Sequence, residues 1–192
     1  MLSEAQQKAV ELLQGGGVVG VPTDTVYGIA ARPSSFEGVA RLFLLKGRDK
    51  DKPIGVLAAR LDQVARMADF SDLALTIADE YWPGDLTLVL PSKGLPSGVG
   101  DVVRQTIGVR IPNHDALREV LAEVGPLAVT SANLTGRPEG VDGAAAEEVF
   151  GNEVDFYLPG KCLGGSGSTV LDLSSKEPKV LRQGNLDVSR FV

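Results

Sequence analysis

The chain has 192 residues, 43% hydrophobic and 23% charged, which suits a globular protein with a sizeable core. Its formal net charge of -6 argues against non-specific nucleic-acid binding as the main task, because a basic excess supplies that affinity. Cys162 is the one cysteine, so no intrachain disulfide can form and a reducing, cytoplasmic setting is expected; His114 is the one histidine, so no metal site built from several histidines is possible.

Ser3 is placed as a helix N-cap, and Ala5, Val10, Leu12 and Leu13 recur among polar residues, predicting a surface helix over 3–14 that ends at Gly15-Gly16-Gly17. A charged region followed by an apolar one is lacking there, so no signal peptide is expected, and no apolar run approaches the roughly 18–20 residues of a membrane span. Val18-Val19-Gly20-Val21 predicts a short buried strand, stopped by Pro22, and the polar segment 22–28 follows. A helix is expected over 35–45, running into a cluster of cations, then a strand over 54–57. Helices at 61–68 and 71–81 precede a turn at 82–85 and a strand at 86–90. A strand at 107–111, a helix at 115–124, a strand at 127–130 and a helix at 143–150 come next. Strands near 154–158, 168–173 and 179–182 complete the order. The alternation lacks a strict βαβ period, which implies one α/β domain over 1–192 with a twisted, mixed sheet and flanking helices.

Four polar segments follow these strands, at 22–28, 106–114, 130–137 and 164–169, and groups at strand ends of such a sheet commonly converge on a ligand crevice. Their hydroxyls, amides, glycines and arginine side chains suit the positioning of anions and amines. Thr23 and Thr25, two apart in an extended segment, either face a small polar substrate or bond their own backbone as a turn. Lys46, Arg48, Lys50 and Lys52 place four cations in seven residues, which suits a polyphosphate, although cations past a helix end also satisfy its dipole. Arg110 stands between apolar neighbours and requires a partner, either a protein carboxylate such as Asp24 or Asp85 or a substrate carboxylate held bidentately. Arg182 has the same two readings. Ser131 and Asn133 put a hydroxyl and an amide two apart, and residues 164–169 form a Gly/Ser run that is an anion nest or an ordinary loop. His114 is expected to cap or be solvated, Cys162 to be an unreactive thiol, and Trp82 to anchor the core.

Seven segments, taken in order, resemble the YrdC/TsaC family: PTDTVYGI at 22–29, KGRDKDKPI at 46–54, PGDLTLVL at 83–90, GVRIP at 108–112, TSANLTG at 130–136, GSGSTVLDL at 165–173 and VLRQG at 180–184. The resemblance implies a YrdC-like fold with a deep concave ligand-binding face, in its short single-domain form. It implies threonylcarbamoyl-AMP synthase activity, a nucleotidyl transfer in which L-threonine, CO2 or bicarbonate and ATP give threonylcarbamoyl-adenylate and pyrophosphate. Mg2+ would accompany the ATP. A downstream TsaD/TsaB/TsaE-like complex would then carry the threonylcarbamoyl group to adenosine 37 of tRNAs reading ANN codons.

By motif position the resemblance places Thr25, Arg110, Val129 and Ser168 around threonine. Lys46, Arg48, Lys52, Thr106, Ser131, Asn133 and Arg182 fall around ATP, with Lys46 and Arg48 facing the reacting phosphates. Three positions depart from the family pattern. Asp49 stands where Pro is common, Leu57 where His is common, and Glu139 where some relatives carry a small polar residue near ATP. Two alternatives belong to related chains: a double-stranded RNA-binding or ribosomal-RNA-maturation module of the same fold, and a carbamoyl-transfer module of larger hydrogenase-maturation proteins.

Overall fold

Ser3 starts the first helix, α1 (Glu4–Gln14), with a capping box in which its hydroxyl accepts the Gln6 N–H and the Gln6 side chain accepts the Ser3 N–H. This is a computed structural model, and it describes residues 1–47, 53–94, 99–101, 103–134, 136, 140, 142–162, 164 and 166–192. The remaining helices are α2 (Phe36–Lys46), α3 (Leu61–Val64), α4 (Asp72–Tyr81), α5 (Asp115–Val124) and α6 (Gly143–Phe150). Ser35, Ser71, His114 and Asp142 cap four of them, each with a side-chain acceptor on a backbone N–H three residues on. His114 therefore caps, as expected from its place beyond Pro112.

Nine strands form one mixed sheet: β1 (Val19–Val21), β2 (Gly28–Ala31), β3 (Gly55–Leu57), β4 (Leu86–Pro91), β5 (Thr106–Arg110), β6 (Leu127–Ser131), β7 (Phe156–Tyr157), β8 (Thr169–Asp172) and β9 (Lys179–Arg182). Their spatial order is β7-β1-β2-β6-β3-β5-β4-β8-β9. The pairs β1/β7, β3/β5 and β4/β8 are parallel and the others antiparallel. Three pairs of consecutive strands, β1/β2, β4/β5 and β8/β9, are antiparallel.

The sequence reading left out β2. Its residues Gly28, Ile29, Ala30 and Ala31 are small or few, and the strand is held from both sides, by β1 and by β6. The polar segment 22–27 is thus a hairpin connection between β1 and β2. The helix expected over 61–68 is shorter, ending at Val64, and the strand expected near 154–158 is reduced to two residues behind a 3-10 turn at Gly151–Glu153.

Side chains alternate across the sheet with the period of two that strands impose. One set, including Ile29, Val56, Leu86, Leu88, Leu90, Ile107, Val109, Ala128 and Leu171, forms the larger core with apolar residues of α2, α4 and α6. The opposite set gives the smaller core: Val19, Val21, Ala30, Leu57 and Leu127 meet Ala9 and Leu13 of α1 and Leu117, Val120 and Leu121 of α5. Gln6, buried in α1, ties these two helices by donating to the Ala116 carbonyl at 3.0 Å and the Glu119 carboxylate at 2.6 Å. On β4 and β8 the same face carries half-buried Thr87, Val89, Val170 and Asp172. The smaller core stops short of these strands, and a hollow opens there.

Candidate functional site

The hollow has a volume of about 520 Å³, within the range of small-molecule sites. Its floor follows from strand register. Val129 pairs with Gly55 and Val89 with Gly108, and Val89 with Asp172 on the far side, so one row crosses from β6 to β8. Gly55 and Gly108 leave that row without side chains at its centre. A Cβ on either would meet no atom closer than 3.4 Å, so the depth of the floor comes from glycines that the packing itself does not require. Thr87 lies in the next row, with Arg110 of β5 and Leu57 of β3, which are register partners. Thr106 and Ser131 line the hollow toward the opposite ends of β5 and β6.

Arg110 is 5% exposed and is the most constrained group in the wall. Its Nε donates to the Gly84 carbonyl at 2.8 Å, its Nη1 to the Thr25 hydroxyl at 3.1 Å, and its Nη2 to the Asp24 carboxylate. The other Asp24 oxygen accepts the Asn113 N–H at 2.9 Å. Burial pushes the guanidinium pKa below its usual value, opposed by the charges of Asp24 and Asp85. A buried charge without a partner would be costly, and Asp24 supplies the partner. Of the two partners the sequence offered, Asp24 bonds directly while Asp85 acts through its charge.

Thr25 is buried and accepts from Arg110, and its hydroxyl lies 3.0 Å from that of Thr23. Thr23 makes the local turn, donating to the Val26 carbonyl and accepting the Thr25 N–H. Both threonines line the hollow, and both readings of this segment hold together: Thr23 also shapes the loop, while Thr25 accepts from Arg110.

Ser168 stands across the hollow, its hydroxyl 2.7 Å from that of Thr87. Arg182 donates to the Ser168 carbonyl at 2.9 Å and to its hydroxyl at 3.1 Å. Gly167 lets the guanidinium lie flat against the backbone, since a Cβ there would stand 3.0 Å from Arg182 Cζ. Val129, Thr106, Ser131 and Arg182 also line the hollow.

Lys46 makes its contacts on the segment that ends β6. It ends α2, is 3% exposed, and its ammonium donates to the Ser131 carbonyl at 2.7 Å, the Ser131 hydroxyl at 3.2 Å, and the Asn133 carbonyl and amide oxygen, both at 2.8 Å. Neither Lys46 nor Asn133 is among the described wall residues, and Lys46 reaches the hollow through the Ser131 loop it holds. Arg48, Lys52, Asp49 and Glu139 lie outside the described residues. Leu57 is in the wall.

Cys162 accepts the Thr23 N–H at 3.4 Å, and burial raises its thiol pKa, which keeps it protonated and weakly nucleophilic. Trp82 packs edge-on against Phe70 and donates to the Leu86 carbonyl at 2.7 Å, the expected core anchor. Sequence reasoning passed over Thr87, Asp101, Arg104 and Asp172 of the wall. The alternation Thr87/Val89 with Thr106/Gly108/Arg110 was the available signal for Thr87. Among the described residues, no three His, Cys, Asp or Glu side chains gather to hold a metal, and no helix is long and apolar enough to cross a membrane.

An open mixed sheet with a half-covered face, a buried arginine and hydroxyl side chains around a hollow defines the class as an α/β protein with a cavity of small-molecule size. The Sua5_yciO_yrdC family model, described as "Telomere recombination", matches residues 11–184, and the chain belongs to that family. It is 38% identical over 186 residues to a "Putative threonylcarbamoyl-AMP synthase" of Mycobacterium tuberculosis, covering 95% of this chain and 85% of that one. The structure of Pyrococcus abyssi Sua5 complexed with L-threonine is similar at a TM-score of 0.88 and 31% identity, over 96% of this chain and 55% of that one. Escherichia coli YciO matches at a TM-score of 0.90 and 26% identity, covering 98% and 92%. The chain thus spans about half the length of the Pyrococcus protein and most of the other two.

Proposed function

We propose that this chain is a threonylcarbamoyl-AMP synthase, joining L-threonine, CO2 or bicarbonate, and ATP into threonylcarbamoyl-AMP with release of pyrophosphate. The observation that carries the reading is the setting of Arg110 among Thr25, Asp24 and Gly84 in the wall of the hollow. A guanidinium has five N–H groups. Three are committed, so each terminal nitrogen of the fork keeps a second N–H that a substrate carboxylate could accept. Asp24 holds that fork in place without consuming it. The named relatives, and the threonine complex of Pyrococcus Sua5, support threonine as the carboxylate.

In this reading Thr25 and Ser168 complete the threonine pocket beside Val129, and Thr106, Ser131 and Arg182 meet the nucleotide. Lys46 keeps the Ser131 loop in position, with Asn133, and Arg48 and Lys52 are assigned to the phosphates from their motif. No enzyme nucleophile is required. The threonine amine adds to CO2 and loses a proton, giving a carbamate. A carbamate oxygen attacks the α-phosphorus, the bond to the β-phosphate oxygen breaks, and pyrophosphate leaves. Holding the reactants side by side supplies part of the rate, up to roughly 7–11 kcal/mol of barrier. Cations around the phosphates stabilise the charge that develops. Mg2+ would enter on the ATP, held by phosphate oxygens and water, and would neutralise part of their charge.

The product is a mixed anhydride that water destroys, so a downstream threonylcarbamoyl-transferase complex is its proper consumer, for N6-threonylcarbamoyladenosine at position 37 of ANN-reading tRNAs. The test is incubation with ATP, bicarbonate and each amino acid, with pyrophosphate release and the adenylate mass as readouts. Threonine-dependent release with the matching mass supports the proposal. Release that is absent, or equally strong with every amino acid, rejects it.

A further inference from the structure

The wall contains an arginine that no motif singled out. Arg104 lies in the connection from β4 to β5, and Asp101 and Thr106 close that connection by two backbone bonds, Asp101 N–H to the Thr106 carbonyl at 2.8 Å and the reverse at 3.1 Å. The Asp101 carboxylate accepts the Arg104 N–H at 2.9 Å. Gln105 adopts φ 54, the one left-handed non-glycine residue among those described. Such a conformation is unfavourable for an L-residue and persists where its surroundings impose it. Here the Ser92 N–H on the Gln105 carbonyl, at 2.9 Å, and the Gly100 N–H on the Ile54 carbonyl, at 3.2 Å, fix the turn to β4 and to the start of β3. Arg104 is therefore carried by a defined turn, two residues before Thr106.

Among the described residues, three cations around the hollow are already engaged. Arg110 is paired with Asp24, Lys46 donates to four oxygens, and Arg182 donates twice to Ser168. Arg104 approaches Asp101 only through Nε, at 3.6 Å, and its side chain is 70% exposed at the mouth of the hollow. Among the described residues its two terminal nitrogens make no hydrogen bond, and the side chain is largely exposed. A planar fork with two uncommitted nitrogens fits phosphate oxygens, and the mouth is where the most strongly hydrated part of a ligand remains.

We infer that Arg104 is a positioning residue for the β- and γ-phosphates of the nucleotide, the part that leaves as pyrophosphate. The inference rests on the proposed use of ATP in this hollow. A carboxylate ligand belongs with Arg110, at the other end of β5, so Arg104 contributes to nucleotide affinity and not to threonine affinity.

The test compares wild type with Arg104→Gln and Arg104→Lys by calorimetry with ATP, AMP and L-threonine, and by turnover. Loss of one charge-assisted fork predicts ATP binding weaker by about tenfold in Arg104→Gln, with partial recovery in Arg104→Lys. AMP affinity, threonine affinity and thermal midpoint are expected to match wild type. Equal ATP affinity in Arg104→Gln and wild type overturns the inference, and so does an equal loss for AMP and ATP. If wild type releases no threonine-dependent pyrophosphate, the enzymatic proposal fails by itself, while the ATP-against-AMP comparison still reads Arg104.

Discussion

Arg110 carries two readings that the sequence presents as rivals, of which the structure shows the first, the pair with a protein carboxylate, and the second belongs to the proposed function. Burial among apolar neighbours demands a counter-charge, and Asp24 meets that demand. A guanidinium has more donors than one carboxylate can accept, so the same side chain remains able to bind a second. Arg110→Ala is expected to weaken L-threonine binding by about 2–5 kcal/mol, part of it repulsion of the ligand carboxylate by the uncompensated Asp24 charge. Arg110→Lys should recover little, because an ammonium lacks the planar fork. Calorimetric titration with threonine checks both, and an unchanged dissociation constant in Arg110→Ala would remove the clamp role. The paired threonines were legible as a motif. Their division of labour was not, since Thr23 and Thr25 differ only in what lies across the chain from each. The turn carrying Arg104 was equally hidden, because a left-handed glutamine is imposed by tertiary hydrogen bonds and leaves no mark in composition.

At the scale of elements, the capped helices were legible because capping is local: Ser3, Ser35 and Ser71 each act within three residues. β2 was hidden because its pairing is not. Four small or apolar residues make a strand only when β1 and β6 lie on either side. Another non-local tie joins elements distant in sequence. Asp155 accepts Arg41 of α2 through both oxygens, at 2.8 and 3.0 Å, and the Val18 N–H at the entry to β1 at 2.7 Å. The hydrogen bond from Arg41 holds its pKa below the ordinary value of 3.8, against the opposing effect of burial. A carboxylate with a folded pKa below its unfolded one contributes stability that is complete above the unfolded value and fades as pH falls through the folded one. Asp155→Asn should therefore lower stability at pH 7 by about 1 kcal/mol, given the partial exposure of the pair. The difference from wild type should shrink below about pH 4. Denaturant unfolding at pH 7, 5 and 3 measures this, and a difference that stays constant across the series would reject the linkage.

At the scale of the whole molecule, fold class and element order were readable from periodicity and turn residues, and the hollow was not. It arises because α1 and α5 cover only part of one sheet face, a fact of helix placement that appears once strands of distant sequence are set side by side. The family segments pointed to a concave site because they mark the strand ends around it. A ligand that occupies the hollow touches β3, β5, β6 and β8 together. Hydrogen exchange should therefore slow in β8 and β9 when ATP and threonine are added, more than in α1 or α5. Equal protection across the chain would argue against binding in the hollow.

The uncovered half of the sheet has a further consequence. Two helices shield β1, β2 and β6, whereas among the described residues no helix covers β4, β5 and β8 on that face. In the proposed reading, the substrates would serve these strands as a removable layer, burying apolar floor and pairing polar wall groups as a packed helix would. Part of the cohesion of this edge would then be supplied anew with each substrate bound and surrendered when product departs.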